Sequence, residues 1–360
     1  MPAWARYGLS RTPEGDSRAL FEAIRRSRNL RSWKQVAALA GISQSHLSGL
    51  VRGKEFTEHT HERLRTAFPE YEDQLASLME RQRQAAADPD AEILRRIHLL
   101  VDRSRHTEAR DQLVGLVTRD GLPAAITIDA HAMLAMYDLD AGDVDTGAEH
   151  MQTAIAAALR IGDTAWANLL TERLAQQLTR LEHYERAINL VSAALATQLT
   201  TTDLWRRLGV VRWYAGDLLG AYAVLTTALS LGHRRLHIIH ARGQVLAELG
   251  AGVIAITELN EAVDGASSPL SRAYARSSRA WAIATTGDVD SALREFHIAE
   301  ADCPHNAWLH YFRARCYDEY TADREAALSG YRAALRLDGP ALNQPKRVHA
   351  LQRIELITTG

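Results

Sequence analysis

The chain has 360 residues, 46% of them apolar and 24% charged, with a formal net charge of −2. That composition excludes global disorder and leaves enough apolar side chain for two or three domains. The two cysteines, Cys303 and Cys316, exclude a disulfide framework and point to a reducing cytoplasm, and the absence of a long apolar run or a signal-peptide core predicts a chain outside the membrane. The near-neutral total hides an asymmetry. Residues 1–68 carry twelve Lys/Arg against six Asp/Glu, and the remainder carries an acidic surplus of eight. A basic head on an acidic body suggests that the head meets a polyanion.

In the head, apolar spacing predicts a first helix from Ser17 to Ser27 with Leu20, Phe21 and Ile24 on one face. Ser32 is a fitting N-cap for a second helix, Trp33 to Ala40, expected to bury Val36, Ala37, Leu39 and Ala40. Gly41 ends it, because glycine tolerates the left-handed backbone of a sharp turn. Ser43 then caps a third helix through Leu50 or Val51, and Glu58 to Phe68 is a fourth. Helix, glycine turn, helix at this spacing is a helix-turn-helix unit. The residues Val36, Ala37, Ala40, Gly41, Ile42, Leu47 and Leu50, in "WKQVAALAGISQSHLSGLVRGK", resemble the XRE/Cro-repressor type over about residues 16–70. The resemblance implies double-stranded DNA as partner. Gln44, Ser45, His46 and Ser48 would meet base edges, and Lys34, Gln35, Arg52 and Lys54 would meet phosphates.

Residues 71–92 read as a helical linker up to about Ala87, broken at Asp88-Pro89-Asp90. Leu75, Leu78 and Met79 on that helix would pack against the head or form a dimer contact. Residues 93–123 read as a helical pair capping the body.

The body repeats itself. Trp205, Leu208, Gly209, Gly216, Ala221, Leu225 and Ala228 recur 34 residues on as Gly243, Gly250, Ala255, Leu259 and Ala262. Further echoes are Ala175, Ala187, Val191 and Ala194 upstream, and Gly287, Ala292, Phe296 and Ala299, then Ala327, Tyr331 and Ala334, downstream. Gly147, Met151 and Ala154 begin the series. Small residues let paired helices approach, and no single hairpin can bury its own apolar face, so the hairpins must stack. The pattern resembles the tetratricopeptide repeat, with about six units over residues 124–340 and a C-terminal capping helix within 341–360. That implies an all-α chain: a four- to five-helix head and a right-handed solenoid of helical hairpins. Carried over residue by residue, the resemblance puts Glu172, Gln176, Arg180, Arg206, Val210, Trp213, His240, Gln244, Trp281 and Tyr320 in a peptide-binding groove.

Other constellations are weaker. His233, His237 and His240 share a helix face beside Arg234 and Arg235, which repel a cation, and "GAGVIA" at 250–255 follows a helix where a dinucleotide loop needs a strand. No metal, cofactor or catalytic residue is expected. The combined architecture is similar to bacterial peptide-sensing transcriptional regulators. It implies a dimeric DNA-binding regulator controlled by a peptide or protein in the groove. The alternatives are a DNA-tethered scaffold in plasmid or phage maintenance, or a pure protein–protein adaptor.

Overall fold

The computed structural model describes residues 20–25, 27–28, 30, 32–51, 57–86, 89–197, 201–337 and 342–359. Arg52, Gly53 and Lys54, the part of the first helix before residue 20, and the break at Asp88 lie outside them. Among the described residues all regular structure is helical, and no helix is long and apolar enough to cross a membrane. The chain forms two compact units, Met1–Leu170 and Thr171–Gly360.

The first unit opens with α1 (residues 20–25), α2 (Trp33–Leu39), α3 (Gln44–Val51), α4 (Glu58–Ala67) and, after a short 3-10 turn, α5 (Glu72–Ala86). Ser32 caps α2 in a capping box: its hydroxyl accepts from the Gln35 amide while the Gln35 side chain accepts from the Ser32 amide. Gly41 takes φ +63° in the turn to α3. Phe21, Ile24, Val36, Ala37, Leu47, Leu50, Leu64 and Phe68 form the core. One expectation needs correction. Leu39 is 57% exposed, because at about 100° per residue it lies off the face of α2 that buries Val36, Ala37 and Ala40. Leu75 and Leu78 on α5 are fully buried in this same core with Met79 packed against it, the head contact that the sequence suggested for them.

The unit continues through the pair α6 (Pro89–Asp102) and α7 (His106–Val117) to the hairpin α8 (Ala124–Ala141) and α9 (Val144–Arg160). α7 packs on α8, and α6 touches both. The division between the two units falls at residue 170, and the break expected at residues 88–90 lies inside the first unit.

α10 (Thr164–Arg180) carries the chain into the second unit. Beyond it lie α11 (Tyr184–Thr197), α12 (Thr202–Tyr214), α13 (Leu218–Ser230), α14 (Leu236–Glu248), α15 (Gly252–Asp264), α16 (Pro269–Thr285), α17 (Val289–Asp302), α18 (Ala307–Cys316), α19 (Arg324–Arg336) and α20 (Gln344–Thr359). The helices pair as antiparallel hairpins of the expected period. A Gly-Asp dipeptide makes several of the turns: Gly216 and Gly287 adopt left-handed φ of +83° and +92°, and Asp217 and Asp288 each accept from the backbone amide three residues on. The recurring small and apolar positions, from Ala221 and Leu225 to Ala292, Phe296 and Tyr331, are fully buried. Arg242–Glu258 and Arg279–Glu295 are equivalent ion pairs across successive hairpins. Helix α20 begins at Gln344, just after Asn343, whose side chain accepts from the Lys346 amide.

Candidate functional site: an aromatic cavity and an occupied cage in the second unit

The first helices of successive hairpins lie side by side, α14 against α12 and α16, and α16 against α18. Between them is a cavity of about 180 Å3. Its walls include Val210, Trp213, Tyr214, Ala241, Gln244, Val245, Tyr274 and Trp308. Drug-sized ligands need roughly 300–1,000 Å3, so this space suits one side chain of a bound segment. The aromatic walls stack on one another: Trp213 and Trp308 have ring centroids 4.5 Å apart, and Tyr214 meets Trp213 edge-on at 5.1 Å. Gln244 makes no hydrogen bond among the described residues, so its amide has a donor and an acceptor to offer at the rim.

His240 lines the same cavity. Its Nε2 lies 3.3 Å from the Ser278 hydroxyl, which donates to the Tyr274 carbonyl, so the imidazole N–H is the donor in that contact. Burial, opposed by the backbone contact at Tyr274, holds the His240 pKa down at about 4 from 6.5. The unfolded chain therefore takes up this proton first. The neutral imidazole's contribution is fully present above pH 6.5 and is lost as pH falls toward 4, a loss of about 3 kcal/mol. We expect His240→Asn to flatten the urea-midpoint profile in that window. An unchanged profile would mean that other groups govern the acid sensitivity.

Beside the cavity is a second arrangement that the sequence did not suggest. Lys346, from the first turn of α20, places Nζ 2.7 Å from Glu248 Oε2. The same ammonium sits 4.7 Å from the Trp213 ring centroid and 5.3 Å from that of Trp308. Glu248 Oε1 accepts from Trp213 Nε1 at 2.6 Å. Both ionic side chains are almost fully buried, Lys346 9% and Glu248 7% exposed. Burial lowers the Lys346 pKa, and Glu248 opposes that shift. The approach is held by Asn343, whose amide donates to the Tyr214 carbonyl at 3.0 Å. Farther along α20, His349 meets the Tyr311 hydroxyl, and Arg353 makes two bonds of 2.7 Å to Asp318. Burial alone would raise the Asp318 pKa; hydrogen bonds from Arg353 and Tyr331 outweigh it and hold the pKa below its ordinary value.

Of the groove residues expected from sequence, Val210, Trp213, His240 and Gln244 come together at the cavity. The others do not join them. Glu172 accepts from both Arg206 and Arg207, so Arg206 is held in an intramolecular pair. Gln176 accepts from Arg173, and Arg180 donates to Gln177. Trp281 is 2% exposed, stacked on Phe312 with the Arg315 guanidinium 4.1 Å from its ring centroid: it is a packing residue. Tyr320 is exposed and meets the edge of Trp281. The sequence reading missed Tyr214, Glu248, Tyr274, Trp308 and Lys346. Tyr214 adjoins Trp213 and could have been noticed, but nothing in the sequence pairs Lys346 with Glu248.

In the head, Gln44 and Ser45 are exposed at the start of α3, and Lys34 is exposed on α2. His46 is exposed as well, with its Nε2 3.1 Å from the Thr60 hydroxyl on α4. Gln35 is committed to the capping box. Ser48 is half-buried.

No protein-family model matches the chain, and no curated protein does. Solved structures do. A tetratricopeptide repeat protein from Parabacteroides merdae is 14% identical, covers 75% of this chain and 99% of its own, and superposes with a TM-score of 0.57. The Pseudomonas aeruginosa pilF protein is 16% identical over 63% of this chain and 97% of its own, at a TM-score of 0.44. YrrB, described as a tetratricopeptide repeat protein with an unusual peptide-binding site, is 23% identical over 52% of this chain and 91% of its own, at 0.33. The first likeness establishes a tetratricopeptide-repeat fold; the other two are too distant in structure to carry an argument.

Proposed function

We propose that the chain is a protein-interaction adaptor that binds a segment of a partner protein at the cavity of its second unit. The observation that carries this reading is the cavity itself: it has aromatic walls, room for one side chain, and the unpaired amide of Gln244 at its rim. An apolar or aromatic partner residue fills the space, and Gln244 pairs with the adjoining peptide group. Filling the cavity from within tests the idea. Ala241→Phe should lower affinity for a partner captured by the wild-type chain at least tenfold, about 1.4 kcal/mol, with helicity unchanged. Equal capture by the filled variant would exclude this cavity as the docking site.

A second reading has its own support. The α2–turn–α3 arrangement around Gly41, with Gln44 and Ser45 exposed at the start of α3 in a basic segment, favours DNA recognition by a helix-turn-helix head. In that reading the chain is a regulator, or a DNA-tethered scaffold, acting as a dimer on half-sites about 34 Å apart. On a duplex enriched from random pools, Gln44→Ala should cost about 1–3 kcal/mol, with little loss on unselected DNA. Equal losses on both would remove α3 as the reading element.

A further inference from the structure

We infer that Trp213, Trp308 and Glu248 form a lysine-recognition subsite, occupied here by the chain's own Lys346, and that a partner protein carrying a lysine in the first turn of a helix competes for it. The inference deepens the adaptor reading and rests on it.

The cage is built for an ammonium. Two indole faces supply negative π-density at 4.7 and 5.3 Å. Glu248 offers one free carboxylate oxygen, because the other is taken by Trp213 Nε1. A guanidinium recognises carboxylate through two parallel N–H bonds and would find only one acceptor; a lysine needs only one. The cage also shares two walls with the cavity, since Trp213 and Trp308 line both. A partner residue in the cavity therefore brings its neighbours to the cage.

Anchoring α20 is a poor explanation for the pair. Buried ion pairs of this kind are often matched or bettered by apolar residues of similar size. The rest of the seat already supplies apolar burial: Leu342 and Ala350 are nearly or fully buried in the surrounding core, and Ile354 and Ile357 pack against it. What the pair adds is chemical selectivity for one cation at one point. Residues 342–353 thus act as a ligand in cis, with Asn343 setting the start of the helix and Lys346 entering the cage.

The test uses the full-length chain and a fluorescein-labelled synthetic peptide of residues 342–359, followed by fluorescence anisotropy. Wild type should bind the peptide weakly, because its own segment competes. Lys346→Met in the chain should tighten binding at least tenfold. Peptides with Met or Arg at the lysine position should bind that variant at least tenfold more weakly than the lysine peptide. No gain in the variant, or equal binding of the three peptides, overturns the inference. If Lys346→Met does not fold, hydrogen exchange on the wild-type chain decides. Millimolar lysine peptide should raise exchange of amides 346–357 and the Met peptide should not; no difference between them overturns it. Neither readout needs a captured partner. A failed partner capture with a positive peptide result therefore counts against the adaptor reading alone.

Discussion

Glu248→Ala should destabilise the second unit by about 3–5 kcal/mol, read as a fall in the urea midpoint. The substitution leaves the Lys346 ammonium between two indole rings with no anion, and leaves the Trp213 N–H without its acceptor. The alternative, deprotonating Lys346, is also costly at neutral pH, although burial already lowers that pKa. The cost comes from breaking the pair rather than from its net worth. Glu248→Leu combined with Lys346→Met should therefore recover most of the loss, ending within about 1 kcal/mol of wild type. A double variant as unstable as the single one would show that the apolar replacements do not fit, and that shape rather than charge governs the site.

Gly252→Val should cost about 3 kcal/mol through overpacking. Gly252 stands at the first turn of α15, where the end of α16 crosses it. A Cβ there would lie 2.4 Å from Thr285 Oγ1, 2.6 Å from the Ala282 carbonyl oxygen and 2.9 Å from Thr286 Cγ2. The threonine side chains can rotate; the carbonyl cannot, so α16 itself must move. Ile254→Ala, two residues on and 58% exposed, is the control and should change stability by less than about 0.5 kcal/mol. A Gly252→Val chain as stable as the control would mean that the two hairpins separate more easily than their packing implies. The crossing also explains "GAGVIA" in physical terms. Gly250 takes a φ of +80° at the end of α14, and Gly252 admits the neighbouring helix.

The repeat was legible because its cause is local and periodic. Small residues where helices cross, Gly-Asp turns, and apolar positions 34 to 37 residues apart each leave a mark in the chain, and the structure buries those positions. The helices of the head were legible for similar reasons, since Ser32 and Gly41 mark a start and a stop that depend on a few neighbouring residues. Side-chain direction on those helices was less so. Leu39 points out, because which face of α2 is covered is decided by the other helices.

By itself, then, the sequence determined the helical class, the hairpin period and four of the residues lining the cavity, because periodicity and caps act over a turn or two of chain. Tertiary structure alone decided how the rest were used. Trp281 went to packing under Arg315 and Arg206 to Glu172, while Tyr274 and Trp308 joined the cavity wall. It also brought Asn343 to the Tyr214 carbonyl across 129 positions of sequence, and with it Lys346 to Glu248. A contact of that span leaves no local pattern. It exists only once stacked hairpins have carried the ends of α12 and α14 to where α20 begins.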